Sequence, residues 1–210
     1  MILYYIFFIG QILFSAAALY ACLLVFRKSK ERIFGVLSLW FTSHLLTTLL
    51  SMIWDYCFGW NPVHIQNIST VFENTLLVYF CQLLISKEWK IWKVLYFLSF
   101  FVFGIELYLS EVQQVAFSLT ALTYYLTVCS LLIWIMYKEK IAQDILKYIH
   151  ILFFFHMSVV IYIANLDIII SNRELFGNIY PFVWLIYITF NILSIRFFRS
   201  YLKKGLVIDN

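Results

Sequence analysis

The chain has 210 residues, of which 64% are hydrophobic and only 12% are charged. That is about half the charge of an ordinary soluble domain, so a water-soluble fold is excluded. The formal net charge of +4 is modest and calls for no nucleic acid. With only 6 Gly and 2 Pro, few breakers interrupt the apolar runs. Those runs are about 20 residues long, the length of a membrane-crossing helix; the strands of a β-barrel would alternate over about 10.

The expectation is an all-α integral membrane protein of the cell membrane, multi-pass. Seven apolar segments follow one another at about residues 2–26, 34–54, 66–86, 91–109, 114–137, 147–171 and 178–198. They make one seven-helix transmembrane domain over residues 1–210. No soluble domain is expected, and the tail after Arg199 is too short to be an output module. The first run lacks the positive flank that precedes a cleavable signal, so it is expected to stay as span one. Cys22, Cys57, Cys81 and Cys129 form no motif and read as small apolar filler.

Polar residues recur along the spans. Span one has Gln11, Ser15, Ala18 and Cys22. Span two has His44, Thr48, Ser51 and Asp55, and span four has Tyr96, Ser99 and Glu106. Span five has Thr120, Thr123, Thr127 and Ser130, and span seven has Tyr180, Trp184, Tyr187 and Asn191. Each set steps by three, four or seven and so shares one helix face. This predicts a polar seam inside the bundle and a lipid-facing surface of Leu, Ile, Val and Phe. Span three is less regular but holds Glu73, Asn74 and Gln82. Span six has polar groups on two sides, with His156 and Asp167 on one and Tyr148, Ser158, Tyr162 and Asn165 on the other. It is therefore expected to touch neighbours all round.

Charge sets the orientation. Arg27, Lys28, Lys30 and Arg32 follow span one, and Lys87, Lys90 and Lys93 flank the junction of spans three and four. Lys138, Lys140 and Lys147 separate spans five and six, and Arg196, Arg199, Lys203 and Lys204 end span seven. These clusters alternate so as to share one side, which the positive-inside rule makes the cytoplasm. The N-terminus is then outside and the C-terminus cytoplasmic. Asp55, Glu73, Glu106, Glu111, Asp167 and Glu174 fall near the outer ends of spans, almost without positive partners. Such an acidic outer mouth would attract cations or amine-bearing ligands.

Ionisable groups inside a membrane are costly and point to function. The candidate ligand-binding set is Gln11, Asp55, Glu73, Asn74, Glu106 and Asp167. Below it, a mid-membrane network of His44, His156, Tyr187 and Asn191 is expected to form the floor. His44 and His156 lie at matching depth, each with an acid eleven residues on, Asp55 and Asp167. Two such histidines could hydrogen-bond neighbours, relay a proton, hold a metal or bind haem axially. His150 points about 120° away from His156, and His64 falls in an outer loop. No residue is assigned a catalytic or metal-ligating role.

The topology is similar to that of microbial rhodopsins, but span seven has no Lys for a Schiff base, which disfavours retinal. It is also similar to the seven-helix sugar carriers, without their intramembrane prolines, and to G-protein-coupled receptors, without an Asp-Arg-Tyr or Asn-Pro-x-x-Tyr motif. His44, Asp55, His150 and His156 resemble in number the zinc set of ceramidase-like and progestin-receptor-like hydrolases. Their His-x-x-x-His spacing is missing, however.

Taken together, the sequence points to a receptor or sensor with a polar, acidic pocket in its outer half. Besides the lipid bilayer it would need a separate cytoplasmic or membrane partner to signal. A small transporter or channel for a cation or polar small molecule is the alternative, and an intramembrane metal-dependent hydrolase is a third class.

Overall fold

The computed structural model describes residues 2–58, 63–85, 118–165 and 173–208, with positions 101, 104, 105 and 108 between them. Among the described residues six helices are formed: α1 Ile2–Ser29, α2 Arg32–Phe58, α3 Val63–Leu84, α4 Ser118–Lys138, α5 Gln143–Ala164 and α6 Arg173–Ile208. There is no strand among the described residues. Five of the helices are long and apolar enough to cross a membrane. The exception is α3, which carries Ser69, Thr70, Glu73, Asn74 and Thr75. The predicted span at 91–109 lies almost wholly outside the described residues.

The helices pack as a closed ring in chain order. Each lies against its sequence neighbours, and α6 returns to pack along α1. The turn from α1 to α2 is tight. Lys30 adopts φ 58°, and its N–H bonds the Phe26 carbonyl at 2.9 Å, a left-handed cap that ends a helix abruptly. Just beyond it, Gly35 lets α2 approach α1 closely, since a Cβ there would stand 3.0 Å from the Phe26 ring. A cavity described below touches the N-terminal parts of α1, α3, α4 and α6 and the C-terminal parts of α2 and α5. Helices α3 and α4 therefore run parallel, as do α6 and α1, and the other neighbours are antiparallel. Parallel neighbours cannot be joined by a short turn. The sequence places span four between the first such pair.

A ring gives every helix an outward face, and here that face is apolar. The exposed residues include Ile6, Leu13 and Tyr20 on α1, Leu39, Leu46 and Ile53 on α2, Phe72 and Tyr79 on α3, Leu126 and Ile133 on α4, and Phe154 and Ile161 on α5. Their recurring spacing of seven keeps each set on one side of its helix. Apolar surface on this scale would aggregate in water and suits a hydrocarbon solvent. The outward face of α5 corrects one expectation. His150, Phe154, Ile161 and Asn165 are exposed, so α5 touches α4 and α6 rather than neighbours on all sides. Its polar groups outside the core are satisfied locally. His150, Ser158 and Asn165 each bond a carbonyl four residues back, those of Leu146, Phe154 and Ile161.

The inward stripe of α1 follows its predicted path, with Gln11, Ser15, Ala18 and Cys22 all buried. That of α4 departs from it. Tyr124, Val128, Leu131, Leu132 and Ile135 fill the core, while Ser130 is exposed. Thr127 and Ser130 bond carbonyls of their own helix, at Thr123 and Leu126, so a hydroxyl here does not require an inward position. Cys22, Cys81 and Cys129 are buried as expected, whereas Cys57 is exposed.

Within the ring the end opposite the cavity is filled by aromatic rings. Phe155 stacks on Phe190 at 4.3 Å, Trp40 meets Phe190 edge-on at 5.6 Å, and Phe41 joins Phe190 and Phe198. Below them Phe198 touches Phe34, Tyr148 and Phe197. Two polar pairs cross this layer. The Asn191 amide donates to Ser15 at 2.8 Å, and the Tyr148 and Ser194 hydroxyls stand 3.5 Å apart. Asn191→Leu is expected to cost only about 0.6 kcal/mol, the usual worth of one interhelical hydrogen bond in a bundle of this kind. Thermal unfolding in lipid nanodiscs checks it; a loss several times larger would mean that Asn191 holds α6 to α1.

Helix α6 runs well past the predicted end of span seven at residue 198. Its final turns are tied down at the basic end of the ring. The Tyr201 hydroxyl donates to Glu31 at 2.8 Å and its ring packs on Phe34. The Lys204 ammonium reaches both Asp144 oxygens at 2.7 Å. Lys204 is mostly exposed, so that pair contributes little to stability, but it fixes where the helix lies.

Candidate functional site

Six helices around an axis leave more room than their backbones fill, and large side chains decide where that room remains. At one end the aromatic rings take it up. At the other the inward residues are smaller, among them Thr47, Thr48, Ser51, Ser69, Thr70 and Ala121, and a cavity of about 960 Å³ opens. All six helices contribute to its wall. Apolar and aromatic side chains such as Phe8, Ile12, Val159, Trp184 and Tyr187 cover most of it, the usual character of a small-molecule site.

The polar centre is His44 on α2. One ring nitrogen, Nε2, lies 3.2 Å from the Gln11 amide nitrogen on α1. The other, Nδ1, lies 3.4 Å from Glu73 Oε2 on α3. The amide can only donate and the carboxylate can only accept. In this arrangement the imidazole donates to Glu73 through Nδ1 and accepts from the Gln11 amide at Nε2. The ring is held on both faces, stacked on Trp40 at 5.9 Å and 11° and on Tyr187 at 5.1 Å and 1°. Four helices thus fix one imidazole at the base of the cavity. Among the described residues no Lys or Arg lines the cavity and Glu73 is its one acid, so the charge they bring to it is negative.

Three buried acceptors lack partners among the described residues: Gln11 Oε1 and Glu73 Oε1, on the two residues that hold this imidazole, and Asn74 Oδ1, next along α3. All three residues are at least nine-tenths buried. Asn74 donates through its nitrogen to the Thr70 carbonyl at 2.8 Å. Tyr125 on α4 lies within hydrogen-bonding range of Asn74 and Tyr187 and feels the charge of Glu73.

His156 on α5 is fully buried but does not line the cavity. Its Nδ1 bonds the Leu152 carbonyl at 2.7 Å, which leaves Nε2 as an acceptor without a partner. The Trp40 indole contacts both histidine rings, at 5.9 Å and 6.5 Å, and Tyr125 packs on His156 at 5.5 Å. A bis-histidine haem site does not form here, because both His44 nitrogens are used within the protein and Trp40 packs beside the two rings. Among the described residues no group of three His, Cys, Asp or Glu side chains could hold a metal ion.

Of the sequence-predicted site, Gln11, His44, Glu73, Asn74 and Tyr187 come together. Asn191 sits apart, bonded to Ser15, and His156 stands beside the floor. The Asp55 side chain and all of Glu106 and Asp167 lie outside the described residues, as does the matched acid expected eleven residues from each histidine; the acid that His44 meets is Glu73. Sequence reasoning missed Trp40 and Tyr125. The spacing of four between Trp40 and His44 was a usable signal for the first. No family model, curated protein or solved structure matches this chain.

Proposed function

We propose that the chain is a membrane receptor or sensor that binds a small molecule in this cavity and signals through a separate partner. The single observation behind this reading is the asymmetry of the ring. One end is open and lined by all six helices, and the axis at the other end is filled by Trp40, Phe41, Phe155, Phe190 and Phe198. A blind pocket favours binding over passage. With the basic residues at the filled end, the positive-inside rule puts the cavity on the outer side of a seven-span membrane protein of the cell membrane. Arg27, Lys28, Lys140, Arg199 and Lys203 then form an inner surface suited to anionic lipid or a protein partner.

The experiment is a pair of measurements on protein in lipid. In nanodiscs, saturable quenching of tryptophan fluorescence across a small-molecule collection reports binding, because Trp184 lines the cavity. In sealed vesicles, the same compounds are followed for net uptake. Binding without uptake is the expected result, with Glu73→Gln weakening it at undiminished expression. Saturable uptake of a bound compound would replace this reading with the transporter alternative.

A further inference from the structure

The cavity has a surplus of hydrogen-bond acceptors, and the surplus says what its ligand carries. This inference rests on the cavity being a binding site. Gln11 and Glu73 line it, and their buried Oε1 atoms accept nothing from the described residues; Asn74 Oδ1, next along α3, accepts nothing from them either. These residues are 2%, 8% and 1% exposed, a burial at which an unmatched polar atom is costly. On the same wall Ser51 Oγ serves either way, and the indole N–H of Trp184 is a donor. Gln11 meets the imidazole at Nε2 and Glu73 meets it at Nδ1, so the two stand on opposite edges of one ring, and Glu73 is the charged one.

Charge points the same way. A carboxylate whose only partner among the described residues is the His44 ring at 3.4 Å is undercompensated in a low-polarity surround, and among those residues no cationic side chain lines the cavity. An anionic ligand would meet Glu73 with repulsion. A neutral alcohol offers a single donor. An ammonium bearing hydrogens offers two or three donors with a positive charge, and charge-assisted bonds are about twice as strong as neutral ones. The aromatic rings of Tyr187, Tyr125 and Trp184 on the wall add favourable faces for a cation. The rest of the wall is apolar and asks for a hydrocarbon body.

We infer that the cavity takes a lipophilic primary or secondary amine, its N–H groups directed at Glu73 and its apolar body against α1, α5 and α6. The hydrogens matter as much as the charge. A quaternary ammonium has the charge and the aromatic attraction but cannot satisfy one acceptor.

The test uses four compounds on one rigid skeleton: 1-aminoadamantane, its N,N,N-trimethylated cation, 1-adamantanol and adamantane-1-carboxylate. Binding to the protein in nanodiscs is measured by tryptophan fluorescence and by calorimetry, with empty nanodiscs as blank. The amine is expected to bind at least about tenfold tighter than the trimethylated cation and the alcohol, and the carboxylate not at all. Glu73→Gln should remove the advantage of the amine over the alcohol. Equal binding of the amine and the trimethylated cation would overturn the inference, because charge and aromatic faces alone would then explain it. Tightest binding of the alcohol or carboxylate would overturn it while leaving the cavity a ligand site. Binding by none of the four would overturn both this inference and the receptor reading beneath it.

Discussion

Phe198→Ala is expected to be the most damaging single truncation in the ring, lowering stability by about 3–5 kcal/mol. Phe198 is wholly buried and touches Phe34, Phe41, Tyr148 and Phe197, so its ring joins side chains from α2, α5 and its own helix. In a bundle solvated by lipid, packing itself supplies most of the cohesion between helices. A benzyl-sized void at the crossing of three helices forfeits it on every side. Unfolding in lipid nanodiscs followed by tryptophan fluorescence measures the loss. Phe198→Leu should recover most of it. Phe182→Ala, at a position 63% exposed, should stay within about 0.5 kcal/mol of the parent protein. Equal losses at 182 and 198 would mean that the aromatic layer is not the structural centre.

The second large effect lies at the polar centre. His44→Phe keeps a flat ring between Trp40 and Tyr187 but removes both nitrogens. The Gln11 amide then loses its acceptor, and Glu73 is left with no partner among the described residues for either oxygen. Breaking a buried pair from one side costs about 3–5 kcal/mol, and about 3 is expected here because the cavity admits solvent. Adding Glu73→Gln to His44→Phe should return part of that stability, since it removes the stranded charge. The double-mutant cycle is expected to give a coupling of at least about 1 kcal/mol. Strict additivity would show that His44 and Glu73 do not interact.

Most of the interior of α1, α2 and α6 was legible in the sequence, because polar residues among apolar ones mark a helix face without ambiguity. Gln11, Ser15, Thr48, Ser51, Tyr187 and Asn191 all sit where periodicity places them. Ser130 misled, since its hydroxyl bonds its own helix and needs no inward position, whereas Thr127 is buried and Ser158 lines the cavity. The pairing of His44 with Glu73 was not legible. It joins residues on different helices 29 positions apart, and periodicity within one helix says nothing about which neighbour stands opposite. The aromatic filling was hidden for a related reason. With 22 Phe in the chain, those facing lipid and those facing the axis look alike, and only the assembled ring separates Phe154 from Phe155.

The length of α6 has a mechanical consequence. One uninterrupted helix presents Trp184 and Tyr187 to the cavity and Tyr201 and Lys204 to the far end. Between Tyr187 and Tyr201 it contains neither Gly nor Pro, so it has no hinge. The two tyrosines are about 21 Å apart along the axis. Such an element moves as a stiff lever, with Asn191 and Ser194, bonded to α1 and α5, placed near its fulcrum. A tilt that gives a ligand room beside Tyr187 must swing Tyr201 the opposite way, against Glu31 and the first turn of α2.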